Sequence, residues 1–395
     1  MLESLSQQTA ESARGTHRFT VDGDPALEAH LQTVCERVHD GVARIVSARD
    51  LHGILLGGGY GRGEGGVLRS PDGDMPYNDL EFYVFVRGSA LLAERRHGAA
   101  VRELGHALES FAGIEVEFKI VSKRTLQRSG PTMFFHDLVA GHRVVAGGDD
   151  LLEGCTHHAK AAAIPLHEAT RLLMNRCSGL LFAAERLQLR KFTDADADFV
   201  GRNIAKAQLA LGDVILVANG LYHSSARVRG TRLGTLAAPE RLSGFARIVQ
   251  LHREGVAFKL QPVRSDEDRA ALAARHEAVS ALAKEVFLWL ESLRLGVQFD
   301  SPQAYAASTC DKCPETPKWR NSLVNLRWLR SSAPWNSPLR HPRQRLLHAL
   351  PLLLWEPAAF EDPKILRGLA SELLKPVPDI ASAIAAYAPL WHRFQ

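Results

Sequence analysis

Two short stretches constrain this chain more than anything else in it: Gly57-Gly58-Gly59-Tyr60-Gly61-Arg62-Gly63-Glu64 and Asn78-Asp79-Leu80-Glu81-Phe82. The first puts a glycine turn at the end of the apolar run Ile54-Leu55-Leu56. The second opens another apolar run with two carboxylates separated by a single residue. Successive side chains on a strand point to opposite faces, so Asp79 and Glu81 share one. Like charges side by side repel unless a cation joins them. The pattern predicts a bound metal, with a phosphate held at the turn, where glycine lets an anion approach backbone N–H groups.

The surrounding periodicity predicts an α/β unit. Apolar Leu27, Leu31, Val34, Val38, Val42 and Ile45 recur at three and four, an amphipathic helix over 25–49. Strands follow at 54–56 and 79–86. Ser89 is placed to cap a helix over 90–111. Ile114, Val116, Phe118 and Ile120 alternate with Glu115, Glu117 and Lys119, a third strand over 114–121. A helical stretch at 134–140 and a strand at 142–146 complete an α/β (α+β) core with a mixed sheet that ends near 150. Beyond Pro165 the alternation stops. Long helices are predicted over 166–191, 194–219 and 267–294, with Thr193 capping the second. The expected organisation is a polar tail (1–24), the α/β domain (25–150), a helical domain (151–300), and basic Trp/Pro-rich loops with a helical C-terminal region (301–395).

Composition narrows the function classes. The chain is 46% hydrophobic and 23% charged, ordinary for a globular protein with a sizeable core. A formal net charge of +4 permits an anionic substrate or nucleic acid without requiring either. The opening segment lacks the apolar stretch of a signal peptide, and the run 346–355 is broken by His348 and Pro351. The five cysteines are scattered, with one CxxC at Cys310 and Cys313 and no second pair to complete a zinc site. A cytoplasmic protein with no membrane partner is expected.

The segment from Gly61 to Gly66 matches GxGxxG, but the dinucleotide reading fails. No good helix is predicted after the glycines, and Asp79 and Glu81 begin a strand where a ribose-binding acid should end one. No Gly-Lys-Ser or Gly-Lys-Thr makes a P-loop. Glu117 adds a third acid on a later strand, and Glu115, on the same strand face, is the alternative. Three carboxylates around one point would hold two divalent ions that clamp the attacking and leaving oxygens of a phosphoryl or nucleotidyl transfer. Magnesium fits, because it takes few carboxylates and completes its shell with phosphate and water.

At these residues the chain resembles the DNA polymerase beta-like nucleotidyltransferase superfamily, over roughly 30–150. The family reads apolar-Gly-Gly/Ser, a spacer, Asp-apolar-Asp/Glu-apolar, and a third acid on a later strand. The run Gly58 to Glu64 is similar to the Gly-Ser-x-Ala-Arg-Gly-Glu version of bacterial members. The resemblance implies that Gly58 and Gly59 line the triphosphate of an NTP such as ATP. It implies that Asp79 and Glu81 hold Mg²⁺, and that Glu117 completes the metal site and helps activate the acceptor hydroxyl. The implied reaction moves an NMP from the NTP to a hydroxyl of a small molecule or protein, with loss of pyrophosphate. Two features depart from the pattern. Gly59 stands where serine is usual, and the spacer to Asp79 is longer, with 68–77 reading as an insertion. A catalytically degenerate nucleotide-binding protein on the same fold is therefore the alternative.

Asn203, Lys206, Ala210 and Asp213 fall on one helical face, where Lys206 could reach the triphosphate as a point charge. Arg62 is expected to fix the turn rather than touch phosphate. Lys312, Lys318, Arg320, Arg327, Arg330, Arg340, Arg343 and Arg345 are interleaved with Trp319, Trp328 and Trp335. Such a stretch could bind single-stranded nucleic acid, which would suit an RNA-modifying enzyme, but anchoring loops on a helical core is the favoured reading.

Overall fold

The computed structural model describes residues 18–265, 267–328 and 339–395. The chain divides into two compact units. The first holds the described residues up to Ile164 together with His223–Val228 and Ala257–Val263. The second holds Pro165–Tyr222, Arg229–Val256 and the described residues from Arg264 onward.

The first unit begins with α1 (Pro25–Ile45). Asp24 caps it by accepting the Leu27 N–H at 2.7 Å, and Pro25 occupies the first turn, where its missing N–H costs nothing. There follow β1 (Leu51–Leu56), a one-turn helix α2 (Gly58–Gly61), a hairpin of β2 (Gly66–Ser70) and β3 (Gly73–Tyr77), and β4 (Asp79–Val86). Next come α3 (Ala90–Ala112), β5 (Glu115–Ser122), α4 (Lys123–Arg128), α5 (Met133–Ala140) and β6 (Arg143–Ala146). Ser89 caps α3, and Gly113 ends it at φ 74°.

The sheet order is β5-β4-β1-β6. β1 pairs antiparallel with both β4 and β6, whereas β4 and β5 run parallel across the α3 crossover. The sheet is therefore mixed. One face packs on α1 and α3, through Leu31, Val34 and Val38 of α1 and Val101 and Leu108 of α3 against Ile54, Leu56, Phe82 and Val84. Each such side chain contributes about 1.5–3 kcal/mol on burial. The opposite face carries Leu55, Tyr83 and Phe85 against Leu126, Leu138 and Leu151. Alternation along β4 puts Asp79 and Glu81 in the row of Tyr83 and Phe85, at the end where its apolar cover stops.

The stretch 68–77, an insertion by pattern, lies almost wholly within the β2–β3 hairpin. Its pairs run from Gly66 opposite Tyr77 to Ser70 opposite Gly73. Pro71 and Asp72 make the bend, and Gly73 rejoins the pairing at φ 121°. Pro76 is accommodated in a two-stranded ribbon, which has free edges.

The second unit is helical. It contains α6 (Leu166–Leu187) and α7 (Asp194–Ala218), most of α8 (Ala226–Thr235) and α9 (Phe245–Leu260), and α10 (Arg269–Leu295). After these come α11 (Pro302–Ala307), α12 (Lys318–Trp328), α13 (Pro342–Trp355), α14 (Pro363–Leu373) and α15 (Ile380–Phe394). Thr193 and Asp196 form a capping box at the start of α7. α6, α7 and α10 pack on one another, and α13 packs on α6, α11 and α15. The whole is a mixed α/β core followed by a largely helical region. Among the described residues, no helix is long and apolar enough to cross a membrane.

Candidate metal centre

Three acids meet at the start of β4 and β5. Register pairs Asp79 with Glu115 and Glu81 with Glu117 across the two parallel strands. Asp79, Glu81 and Glu117 each offer a carboxylate oxygen, and these oxygens lie within 4.8 Å of one another. All three residues are half-buried. Glu115 is exposed and stands outside the cluster. Three hard oxygen donors at this spacing suit a divalent cation of the magnesium or manganese kind.

Local chemistry fixes where β4 begins. Asn78 has φ 74°, a left-handed conformation that asparagine tolerates better than most residues. The kink turns the chain out of β3 into β4, so that Asp79 is the first residue of the strand.

The glycine turn lies against these acids. The Gly57 N–H donates to the Glu81 carbonyl at 2.9 Å. Gly58 has φ 60°, and a Cβ there would stand 2.7 Å from Glu81 Oε2. The left-handed φ is what favours glycine here, at a point where backbone meets a carboxylate. Gly59 is constrained differently. A Cβ there would sit 2.9 Å from the Glu64 carbonyl oxygen, inside the turn itself. Backbone packing thus accounts for glycine where serine is usual.

The other motif residues brace the turn. The buried Tyr60 hydroxyl donates toward the carbonyls of Gly66 (2.8 Å) and Tyr77 (3.1 Å) and accepts the Tyr77 N–H at 2.7 Å. It ties α2 to the open end of the hairpin. Arg62 stands 3.6 Å from Asp137, with its side chain nearly buried. Glu64 is buried and accepts from Ser225 Oγ (2.6 Å) and the N–H groups of Ala226 (2.7 Å) and Arg227 (3.4 Å). It caps the start of α8, within the segment His223–Val228 of the first unit.

Among the described residues, one cation faces the acids. Lys119 Nζ lies 3.5 Å from Glu81 Oε1 and 3.9 Å from Glu117 Oε2. Burial raises the Glu117 carboxyl above its usual range; Lys119 opposes that shift, and Asp79, Glu115 and Glu81 add to it. In the sequence Lys119 reads only as a polar position of an alternating strand, so nothing there marks it as part of the cluster.

The remaining candidates lie elsewhere. Lys206 is exposed on α7 of the helical unit. Asp213 and Ala210 of the same helix are buried, so the four-residue face of the sequence pattern is split. Asp213 accepts from Arg229 Nε at 2.7 Å and lies 3.0 Å from His252 Nε2, inside that unit. In the basic stretch, Lys312 and Arg345 are buried, Arg340 bonds Glu372 at 3.1 Å, and Arg343 stands 3.9 Å from Glu315. Each of these four cations is engaged by neighbours within the helical unit. Lys318, Trp319 and Arg320 are exposed, whereas Arg330 and Trp335 lie outside the described residues. Cys310 and Cys313 are free thiols.

No protein-family profile matches the chain, and no curated protein matches it. Among solved structures, it is similar to the spectinomycin adenyltransferase AAD(9) from Enterococcus faecialis, determined with ATP and spectinomycin. The identity is 12%, with 64% of this chain and 98% of that chain covered. The TM-score is 0.36, a likeness too loose to bear on the chemistry.

Proposed function

We propose that this chain is a metal-dependent nucleotidyltransferase of the DNA polymerase beta-like superfamily. It would move an NMP from an NTP to a hydroxyl of a small molecule or protein and release pyrophosphate. The observation that carries the reading is the convergence of Asp79, Glu81 and Glu117 within 4.8 Å, with Gly58 held against Glu81.

Asp79 and Glu81 are assigned as metal ligands, and Glu117 as the third. Bound Mg²⁺, two ions in the full site, would supply charge neutralisation for the transferring phosphoryl group. Glu117 is also assigned to take the proton of the acceptor hydroxyl, as a carboxylate placed beside the other two acids. Gly58 and Gly59 open α2, where the first amides of a helix have no intrahelical acceptor, and are assigned to the triphosphate. Lys206 is assigned to the nucleotide on its sequence pattern alone.

The test is pyrophosphate release with Mg²⁺, each of the four NTPs and pools of hydroxyl acceptors. An Asp79→Asn, Glu81→Gln double variant should lose turnover by about a hundredfold or more while keeping its circular dichroism spectrum. Nucleotide binding that needs Asp79 and Glu81 but yields no pyrophosphate would identify a degenerate binding protein. Metal-independent binding, unchanged in the double variant, would end the reading.

A further inference from the structure

The acid cluster has only partial compensation. Three carboxylates share one neighbourhood, and among the described residues a single ammonium, Lys119, reaches Glu81 and Glu117 at 3.5 and 3.9 Å. Lys119 sits two pairs further along the strands than Glu117, opposite Tyr83 on the same sheet face. Its side chain is 46% exposed, so it is not locked in place. The ring centres of Phe134 and Tyr83 lie 5.5 and 5.8 Å from Nζ, which gives the ammonium favourable aromatic neighbours besides the acids.

We propose that Lys119 couples metal binding to triphosphate binding at this site. It acts as the resident counter-ion of the acids until a phosphate chain gives it another partner. This rests on the metal reading above. A divalent ion arriving alone must take Glu81 and Glu117 from Lys119, and the ammonium is then left beside a like charge. An ion arriving with a triphosphate brings several phosphate oxygens, and the flexible lysine can turn to them as it releases the carboxylates. Lys119 therefore weakens the cluster's hold on the free ion and strengthens its hold on the ion–triphosphate pair. By linkage, the metal raises triphosphate affinity by the same factor that triphosphate raises metal affinity. Partly exposed ion pairs are worth up to about 1 kcal/mol, which sets the scale at about two- to fivefold.

The experiment titrates the full chain with Mn²⁺ alone, then with inorganic tripolyphosphate in the presence and absence of Mn²⁺. Bound ion is read by electron paramagnetic resonance, so no turnover is needed. Lys119→Met is expected to bind Mn²⁺ alone about two- to fivefold more tightly than the native protein and to lose most of the Mn²⁺-dependent gain in tripolyphosphate affinity. Lys119→Arg, which keeps the charge, should behave as the native protein does. Unchanged or weaker Mn²⁺ binding by Lys119→Met, or an undiminished gain with tripolyphosphate, would overturn the proposal. The Asp79→Asn, Glu81→Gln double variant separates the two ideas: if it binds Mn²⁺ as the native protein does, the metal reading itself fails, whatever Lys119 does.

Discussion

Glu64 accepts three hydrogen bonds and lies almost wholly out of water. Oε1 takes the Ser225 hydroxyl and the Arg227 N–H, and Oε2 takes the Ala226 N–H at 2.7 Å. Both oxygens therefore meet donors. An anion here also faces the positive end of α8, which adds to the hydrogen bonds. Glutamine is nearly isosteric but would turn an NH₂ toward one of those donors. Glu64→Gln should thus lose about 1–3 kcal/mol of stability in urea unfolding, close to the loss for Glu64→Ala. A Glu64→Gln protein as stable as the native one would show that the carboxylate's second oxygen contributes nothing. Tyr60 and Gly59 carry the same lesson. Each belongs to a motif associated with phosphate, yet each is held in place by contacts to neighbouring backbone.

At the scale of elements, the geometry of the metal site depends on where β4 starts and how it registers with β5. The left-handed residue Asn78 makes the first of these possible. A β-branched side chain at that φ clashes with its own carbonyl, so Asn78→Val should cost at least about 1–2 kcal/mol, whereas Asn78→Gly should be close to neutral. Chemical unfolding of both variants checks this; equal stabilities would mean that the kink is not enforced. The elements themselves were largely legible in the sequence, because their signals are local. An apolar run opened by two acids marked β4, a period-two run marked β5, Ser89 marked the start of α3, and Thr193 marked the start of α7. The hairpin was not legible, since Pro71, Gly73 and Pro76 read as breaks, and only pairing of β2 with β3 makes them a bend and a tolerated edge. The choice between Glu115 and Glu117 was not legible either. Both lie on one face of one strand, and only the side-chain cluster formed with the neighbouring strand separates them. Lys119 escaped for the same reason, because its partners lie on two strands.

Across the whole molecule, charge is distributed in a way that composition hides. A net charge of +4 and a basic stretch after residue 311 suggest a surface for polyanions, yet several of those cations are turned inward within the helical unit. Lys312 is the extreme case, with 1% of its surface exposed. Its Nζ donates to the Ser308 carbonyl at 3.1 Å, lies 3.1 Å from His348 Nε2, and stands 4.7 Å from the centre of the Tyr305 ring. Burial lowers its pKa from 10.5 to about 8; Cys310, Glu291 and Glu372 hold it up, and Arg340 pushes it further down. The same crowding brings His348 down to about 3, chiefly through burial and then through Lys312. The sign follows from proton counting. Between about pH 8 and 10.5 the unfolded chain holds the Lys312 proton more firmly than the folded one, so this group makes stability rise with pH across that window. Below pH 8 the folded protein bears the full cost of a buried ammonium, and above 10.5 it bears none. Lys312→Met removes the charge and keeps most of the volume, while giving up the bonds to Ser308 and His348. Its melting temperature relative to the native protein should therefore be most favourable near pH 7 and fall steadily as the pH passes from 8 to 10.5. Groups that do not interact with Lys312 cancel in that difference. A difference that stays flat from pH 7 to 10.5 would mean that Lys312 keeps an ordinary affinity for its proton in the folded chain. The helical unit would then hold its cation as comfortably as water does.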